Sequence, residues 1–200
     1  MTILEFEQGT PEWFTARLGI PTASRYKDIV TPARGDKSKS YKTYLYELLA
    51  ERVTGESTDS FTNEWMQRGN ELEPHARSAY EFLFEIDVQQ VGFVLNDSKT
   101  IGASPDGLIG SDGGIEIKCP KASTAVRYMV EDKLPDIYKP QVQGNLWICE
   151  REWWDFVVYH PSMELFVKRV YRDEAYIKNL ETHITAFVEE LEALHRRLSA

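Results

Sequence analysis

A chain of 200 residues, 42% apolar and 12% aromatic, is long enough to bury a core and reads as a single domain, 1–200. No run approaches the roughly 18 apolar residues of a membrane span, and the opening MTILEFEQGTPEW lacks a basic start, so neither a membrane segment nor a signal peptide is expected. A net charge of −9 argues against nonspecific nucleic-acid binding, and two cysteines, Cys119 and Cys149, make no disulfide framework or four-cysteine metal site, so a reduced, cytoplasmic protein is expected.

The chain opens with helices. Thr10-Pro11-Glu12 is a helix start: a capping hydroxyl, a proline at the first helical position and an acid near the positive end of the dipole. A second short helix is predicted over 22–30. The stretch 25–42 is basic, with Arg25, Lys27, Arg34, Lys37, Lys39 and Lys42 against Asp28 and Asp36, and either tracks a phosphate backbone or is a solvated loop. Helical spacing of Tyr44, Leu45, Leu48 and Leu49 predicts a helix over 41–53 that stops before Gly55. Another covers 64–84, where Pro74 either kinks it or opens a new helix. VQQVGFVL, TIGASPDGLIG and GIEIKCP read as strands; helices return near 122–130 and 136–147. EWWDFVVYH and ELFVKRVY are strands around a Pro161-Ser162 turn, and 173–198 is a long amphipathic helix. Helices around a central mixed sheet give an α/β (α+β) class.

Glu116 and Lys118 lie two apart on a predicted strand and share a face, with Ile115 and Ile117 turned to the core. A five-residue loop over 110–114 sets Ile109 against Ile115, Leu108 against Glu116 and Asp106 against Lys118, diagonal to Glu116 at roughly 7–8 Å. A two-residue loop at Asp112-Gly113 sends Asp106 to the other face; the longer loop is the expectation. An ordinary hairpin with such a face carries an exposed salt bridge. Here Pro105 bends or ends the strand before Asp106, Gly107 admits a close approach, and Pro120 ends the next strand, which together outline a polar pocket at a sheet edge. Hard carboxylate oxygens suit Mg²⁺ or Mn²⁺, with the Ile117 carbonyl as a further oxygen. Lys118 either orients and helps deprotonate a water or stabilises transition-state charge.

The order Pro105-Asp106 followed by Glu116-Ile117-Lys118 matches the PD-(D/E)xK nuclease signature. RLGIPTAS (17–24), RGNELEPHAR (68–77), SPDGLIGSDGGIEIKCP (104–120) and QVQGNLWI (141–148) occur in the same order in lambda-type phage exonucleases, so the chain resembles the YqaJ-like viral recombinase family over residues 7–176. The resemblance implies a restriction-endonuclease-like core and a Mg²⁺-dependent 5′→3′ exonuclease, with Mn²⁺ as a substitute and two ions per site. It implies that Asp106, Glu116, the Ile117 carbonyl and Glu73 hold the metals and that Lys118 positions the attacking water. Arg17, Ser24, Ser104 and Gln143 fall where the family cradles the terminal 5′-phosphate, and Met66 where an apolar residue wedges apart the duplex end. The implied product is 5′-mononucleotides and a 3′ single strand for recombination by strand annealing. The implied partners are double-stranded DNA ends, a single-strand annealing recombinase and two further copies in a homotrimeric, processive ring, encoded by a phage or prophage and acting in the bacterial cytoplasm. Read from the residues alone, Arg17 is a surface ion pair, Glu73 an exposed helix acid and Met66 core filler. The rival readings are a site-specific endonuclease of the same superfamily and an inactive DNA-end-binding protein. His75, His160, His183 and His195 show no paired ligand spacing, and no histidine near Cys119 activates it.

Overall fold

The computed structural model describes residues 1–58 and 64–199, with the backbone alone described at 64–66. The strands are β1 (Thr2–Leu4), β2 (Phe93–Leu95), β3 (Gly102–Ala103), β4 (Gly107–Ile109), β5 (Gly113–Lys118), β6 (Trp153–Val158) and β7 (Phe166–Tyr171). The α-helices are α1 (Pro11–Arg17), α2 (Tyr26–Ile29), α3 (Tyr41–Thr54), α4 (Glu64–Phe84), α5 (Ala122–Glu131), α6 (Lys139–Ile148) and α7 (Glu174–Leu198). Among the described residues no helix is long and apolar enough to cross a membrane.

Helix ends follow their local chemistry. Thr10 caps α1 by accepting from the Trp13 N–H, with Pro11 in the first turn. Asp173 caps α7 in the same way through Tyr176. Gly55 closes α3 in the left-handed conformation that glycine adopts without cost. The chain over 22–30 is less regular than expected: a three-residue 3₁₀ turn, Ala23–Arg25, and the single turn of α2. Helix α4 runs unbroken through Pro74. Its inner stripe is pinned to the sheet by packing of Ala76 and Tyr80 against Ile115, Ile117 and Val157, and this contact outweighs the hydrogen bond the proline cannot donate.

In place of one central sheet there are two, ordered β1-β2-β3 and β4-β5-β6-β7. TIGASPDGLIG forms two short strands interrupted at residues 104–106, because Pro105 has no N–H for a ladder. Gln8 reaches into the gap and donates to the Pro105 and Val91 carbonyls, at 2.8 and 2.9 Å. VQQVGFVL pairs as a strand only at its end, with an isolated bridge from Gln89 to Leu108 linking the two sheets. β5 and β6 run parallel, and β6 and β7 antiparallel.

The hairpin register also differs. Gly107 pairs with Ile115 and Ile109 with Gly113, so the loop is residues 110–112 and Asp106 approaches the strand opposite Glu116 rather than Lys118. The expected face survives, because the shift is by an even number of positions. Gly113 and Gly114 belong to the strand because their parallel neighbours are Trp153 and Trp154, whose rings occupy the space a β-carbon would need. Of this pair Trp154 is wholly buried and Trp153 half-buried. The two faces of the sheet are thereby sorted: Ile115, Ile117, Asp155 and Val157 lie under α4, while Glu116, Lys118, Trp154 and Phe156 face the opposite way, where α6 supplies partners to Glu116.

A β-carbon at Gly114 would sit 2.3 Å from the ring of the fully buried Trp154. Gly114→Ala is expected to lower stability in urea by about 1–3 kcal/mol through overpacking. An unchanged unfolding midpoint would contradict the tight seat of Trp154 against β5.

Candidate active site

The break in the sheet opens onto a cleft of about 700 Å³ lined by Glu73, Asp106, Ile117, Lys118 and Tyr138. Glu116 lies beneath it, only 1% exposed. Burying a carboxylate requires donors, and three are present. Lys118 Nζ and Gln141 Nε2 (2.6 Å) donate to Oε1, and Asn145 Nδ2 (3.1 Å) donates to Oε2. Gln141 and Asn145 are four apart on α6, hence on one face of it.

Asp106 is placed by the end of β4. Its Oδ2 accepts the Ile117 N–H at 2.5 Å, satisfying a donor left without a partner once β4 begins only at Gly107. The N–H and C=O of a strand residue point to the same edge, so the Ile117 carbonyl opens on the same gap. Glu73 enters from α4, where Arg77, one turn on, donates to its Oε1 at 2.5 Å.

The electrostatics of these acids are unfavourable. Burial, then repulsion from Glu116, pushes the Asp106 carboxyl well above the ordinary aspartate range, despite Lys118 nearby. Glu73 is also pushed up, mainly by burial, with Arg77 and Lys118 pulling back. Burial acts against the Lys118 ammonium, but Glu116 and Asp106 outweigh it and hold Lys118 above the usual lysine range. Three acids thus converge at one cleft, with Lys118 between them, Lys121 on its lining and Arg77 on Glu73, and a divalent cation would relieve the repulsion between Asp106 and Glu116. Among the described residues no three such side chains already form a closed cage. The donor set nonetheless fits Mg²⁺, which takes one or two carboxylates and completes its octahedron with water and substrate oxygens: Asp106, Glu116, Glu73 and the Ile117 carbonyl would hold it.

The residues expected at a 5′-phosphate are only partly gathered. Arg17 Nη1 donates to Ser104 Oγ at 2.8 Å, Trp13 Nε1 donates to the same oxygen at 3.1 Å, and the Arg17 guanidinium lies 4.0 Å above the Trp13 ring. Ser24 is exposed and lies 3.3 Å from Thr22 Oγ1, and Thr22 bridges to Gly102 two residues before Ser104. The 3₁₀ turn there is too short to supply a helix-terminus anion site. Gln143 is elsewhere: its amide donates to the Tyr171 carbonyl and accepts from the Asp173 N–H, both at 2.9 Å, tying α6 to the end of β7. It is a brace, two residues from the Gln141 that does face the site. The Met66 side chain lies outside the described residues. In the basic stretch 25–42, Arg25 is bound by Asp28 and Glu47, Lys42 by Glu190, and Lys37 sits over the Tyr41 ring, so half of its six cations are engaged within the chain.

Sequence reasoning missed Gln8, Arg77, Gln141, Asn145 and Tyr138. The i,i+4 pairs Gln141/Asn145 and Glu73/Arg77 carried a readable signal.

Asp106→Asn keeps an acceptor for the Ile117 N–H and removes the charge. A carboxyl whose folded pKa is raised contributes stability that is fully present below its unfolded pKa and lost as pH rises through the folded value. Without divalent ions, Asp106→Asn is therefore expected to melt above wild type at pH 8, with the difference shrinking toward pH 4. Added Mg²⁺ should raise the wild-type Tm more than that of the variant. A difference independent of pH would contradict the strained carboxylate.

The known proteins most informative here are nucleases. The chain is similar to the solved alkaline exonuclease LHK-Exo from Laribacter hongkongensis, at 40% identity over 95% of this chain and 96% of that one, TM-score 0.87. The same protein in complex with dAMP matches at 41% identity, over 94% and 96% of the two chains, also at 0.87. A phage-related exonuclease from Haemophilus somnus 129PT shares the fold, at 16% identity over 90% and 96% of the chains and TM-score 0.68. No curated protein sequence matches the chain. The model of the YqaJ-like viral recombinase domain matches residues 12–152, and the chain belongs to that family.

Proposed function

We propose that the protein is a Mg²⁺-dependent exonuclease that degrades the 5′-ended strand of linear double-stranded DNA, releases 5′-mononucleotides and leaves a 3′ single strand for annealing-type recombination. The observation that carries this reading is the convergence of Asp106, Glu116, Glu73 and Lys118 where the sheet breaks, in a chain of the YqaJ-like family 40% identical to an alkaline exonuclease.

Divalent cations bound by the acids would supply Lewis acidity toward the phosphate and lower the pKa of a water. The protein's own groups do the rest. Lys118, hydrogen-bonded to Glu116 beside Asp106, orients the attacking water and helps deprotonate it, or stabilises charge on the phosphate oxygens. Gln141 and Asn145 keep Glu116 in one orientation. The 5′-phosphate sits against Arg17 and Ser104, close before Asp106 in the chain, so the end is gripped beside the bond to be cut. Wedge action by Met66, a homotrimeric ring and an annealing recombinase partner complete the proposal. The exposed Phe82, Leu83 and Phe84 on α4 offer an apolar surface for subunit contact, and light scattering should give about three times the 23.1 kDa chain.

The test is end-labelled linear DNA beside closed circular DNA, with and without chelator. Only the linear substrate should be degraded, and only with metal; cleavage of the circle would make the protein an endonuclease. Lys118→Ala should slow hydrolysis by about 10²–10³-fold while still binding metal. Arg17→Ala should slow 5′-phosphorylated ends roughly ten- to a hundredfold and 5′-hydroxyl ends far less. Equal slowing of both ends would make Arg17 structural.

A further inference from the structure

We infer that Arg77 is the positioning residue for Glu73, holding that carboxylate in the one orientation from which it helps bind the metal of the proposed nuclease site; the inference rests on that reading of the site.

Arg77 is 8% exposed, an unusual place for a guanidinium unless it is paired. Its Nη2 donates to Glu73 Oε1 at 2.5 Å. At its other end the Gln90 amide oxygen, set to face the guanidinium, lies 2.8 Å from Nη1. Arg77 is thus braced between a backing amide and the carboxylate in front of it. Glu73 Oε2 accepts no hydrogen bond among the described residues, and Glu73 lines both the 700 Å³ cleft and an adjoining one of about 500 Å³ that Arg77 also borders.

The helix carrying the pair is itself fixed. Glu73, Ala76, Arg77 and Tyr80 follow at helical spacing and form one stripe. Tyr80, two turns beyond Glu73, donates its hydroxyl at 2.6 Å to the buried Asp155 of β6. Asp155 in turn takes two hydrogen bonds from Arg169 of β7, at 2.8 and 2.9 Å. The stripe therefore cannot slide along the sheet, and the only freedom left to Glu73 is rotation of its own side chain. Arg77 removes that freedom at one oxygen and leaves the other for the metal. This arrangement also answers how a residue directly before Pro74 keeps a defined direction.

The test is titration calorimetry with Mn²⁺ in the absence of DNA, so the readout does not depend on turnover. Relative to wild type, Arg77→Ala should weaken binding roughly 10–100-fold, the usual loss when the partner that orients a metal ligand is removed. In a Glu73→Gln background the same change should weaken it by no more than about twofold, because a residue acting through Glu73 has nothing left to act on. Arg77→Lys, which keeps the charge without the planar fork, should fall between and serves in place of Arg77→Ala should that variant not fold. Arg77→Ala binding Mn²⁺ as wild type does would overturn the role of Arg77 and leave the nuclease reading standing. A full further loss in the Glu73→Gln background would overturn it too, since Arg77 would then act by another route. A wild type that takes up no Mn²⁺ would overturn the nuclease reading and this inference with it.

Discussion

Glu116 is the fixed point of the site. A carboxylate that is 1% exposed has lost its water, and the loss is tolerable only if donors replace that water with good geometry. Lys118, Gln141 and Asn145 do so from two elements, the strand β5 and the helix α6. That requirement locks the register of β5 and the rotation of α6 together. A slip of one residue in the strand would aim Glu116 at α4, into the layer formed by Ile115, Ile117 and Tyr80 and away from Gln141 and Asn145. The parallel pairing with β6 and the seating of Trp153 and Trp154 over Gly113 and Gly114 hold the register from the other side.

Around this point the fold accepts electrostatic cost. Asp106 and Glu73 are brought toward Glu116 and away from water, and both become harder to ionise as a result. A sheet built for stability alone would have continued through residues 104–106. Instead Pro105 interrupts it, Gln8 holds the interruption open from the Pro105 carbonyl, and the freed Ile117 N–H is given to Asp106. Local rules broken together at one place, with compensation supplied from several elements, are the mark of a working site. The buried Asp155–Tyr80–Arg169 network is the structural counterpart: its charges are paired, and it fixes the helix that delivers Glu73.

What the sequence made legible followed from local pattern. Alternation along 113–118 put Glu116 and Lys118 on one face and the isoleucines on the other, and the caps at Thr10 and Gly55 marked helix ends. The hairpin loop was misjudged because Gly113 and Gly114 look like turn residues until the tryptophan rings of β6, forty residues on, are laid over them. Gln143 and Gln141 differ by two positions on one helix, about 200° around its axis; that Gln141 reaches Glu116 while Gln143 reaches the end of β7 depends on which face of α6 meets β5. Arg77 gave a local signal only in its i,i+4 spacing from Glu73; its burial depends on Gln90 and on the packing of α4 against the sheet. The single expected sheet became two because, of the bend or strand end that Pro105 offered, the chain takes the end, where pairing stops and the cleft begins.

The central claim is that the acids at this break are a divalent-cation site built on the pinned Glu116. Anomalous diffraction from crystals grown with Mn²⁺ tests it most directly, because the signal locates the ion independently of any assay. The account predicts anomalous density in the cleft within coordination distance of Asp106 and Glu116, with Glu73 facing it and Lys118 outside the coordination shell. Strong Mn²⁺ signal elsewhere on the molecule with none at Asp106 and Glu116, in crystals that bind the ion, would contradict it.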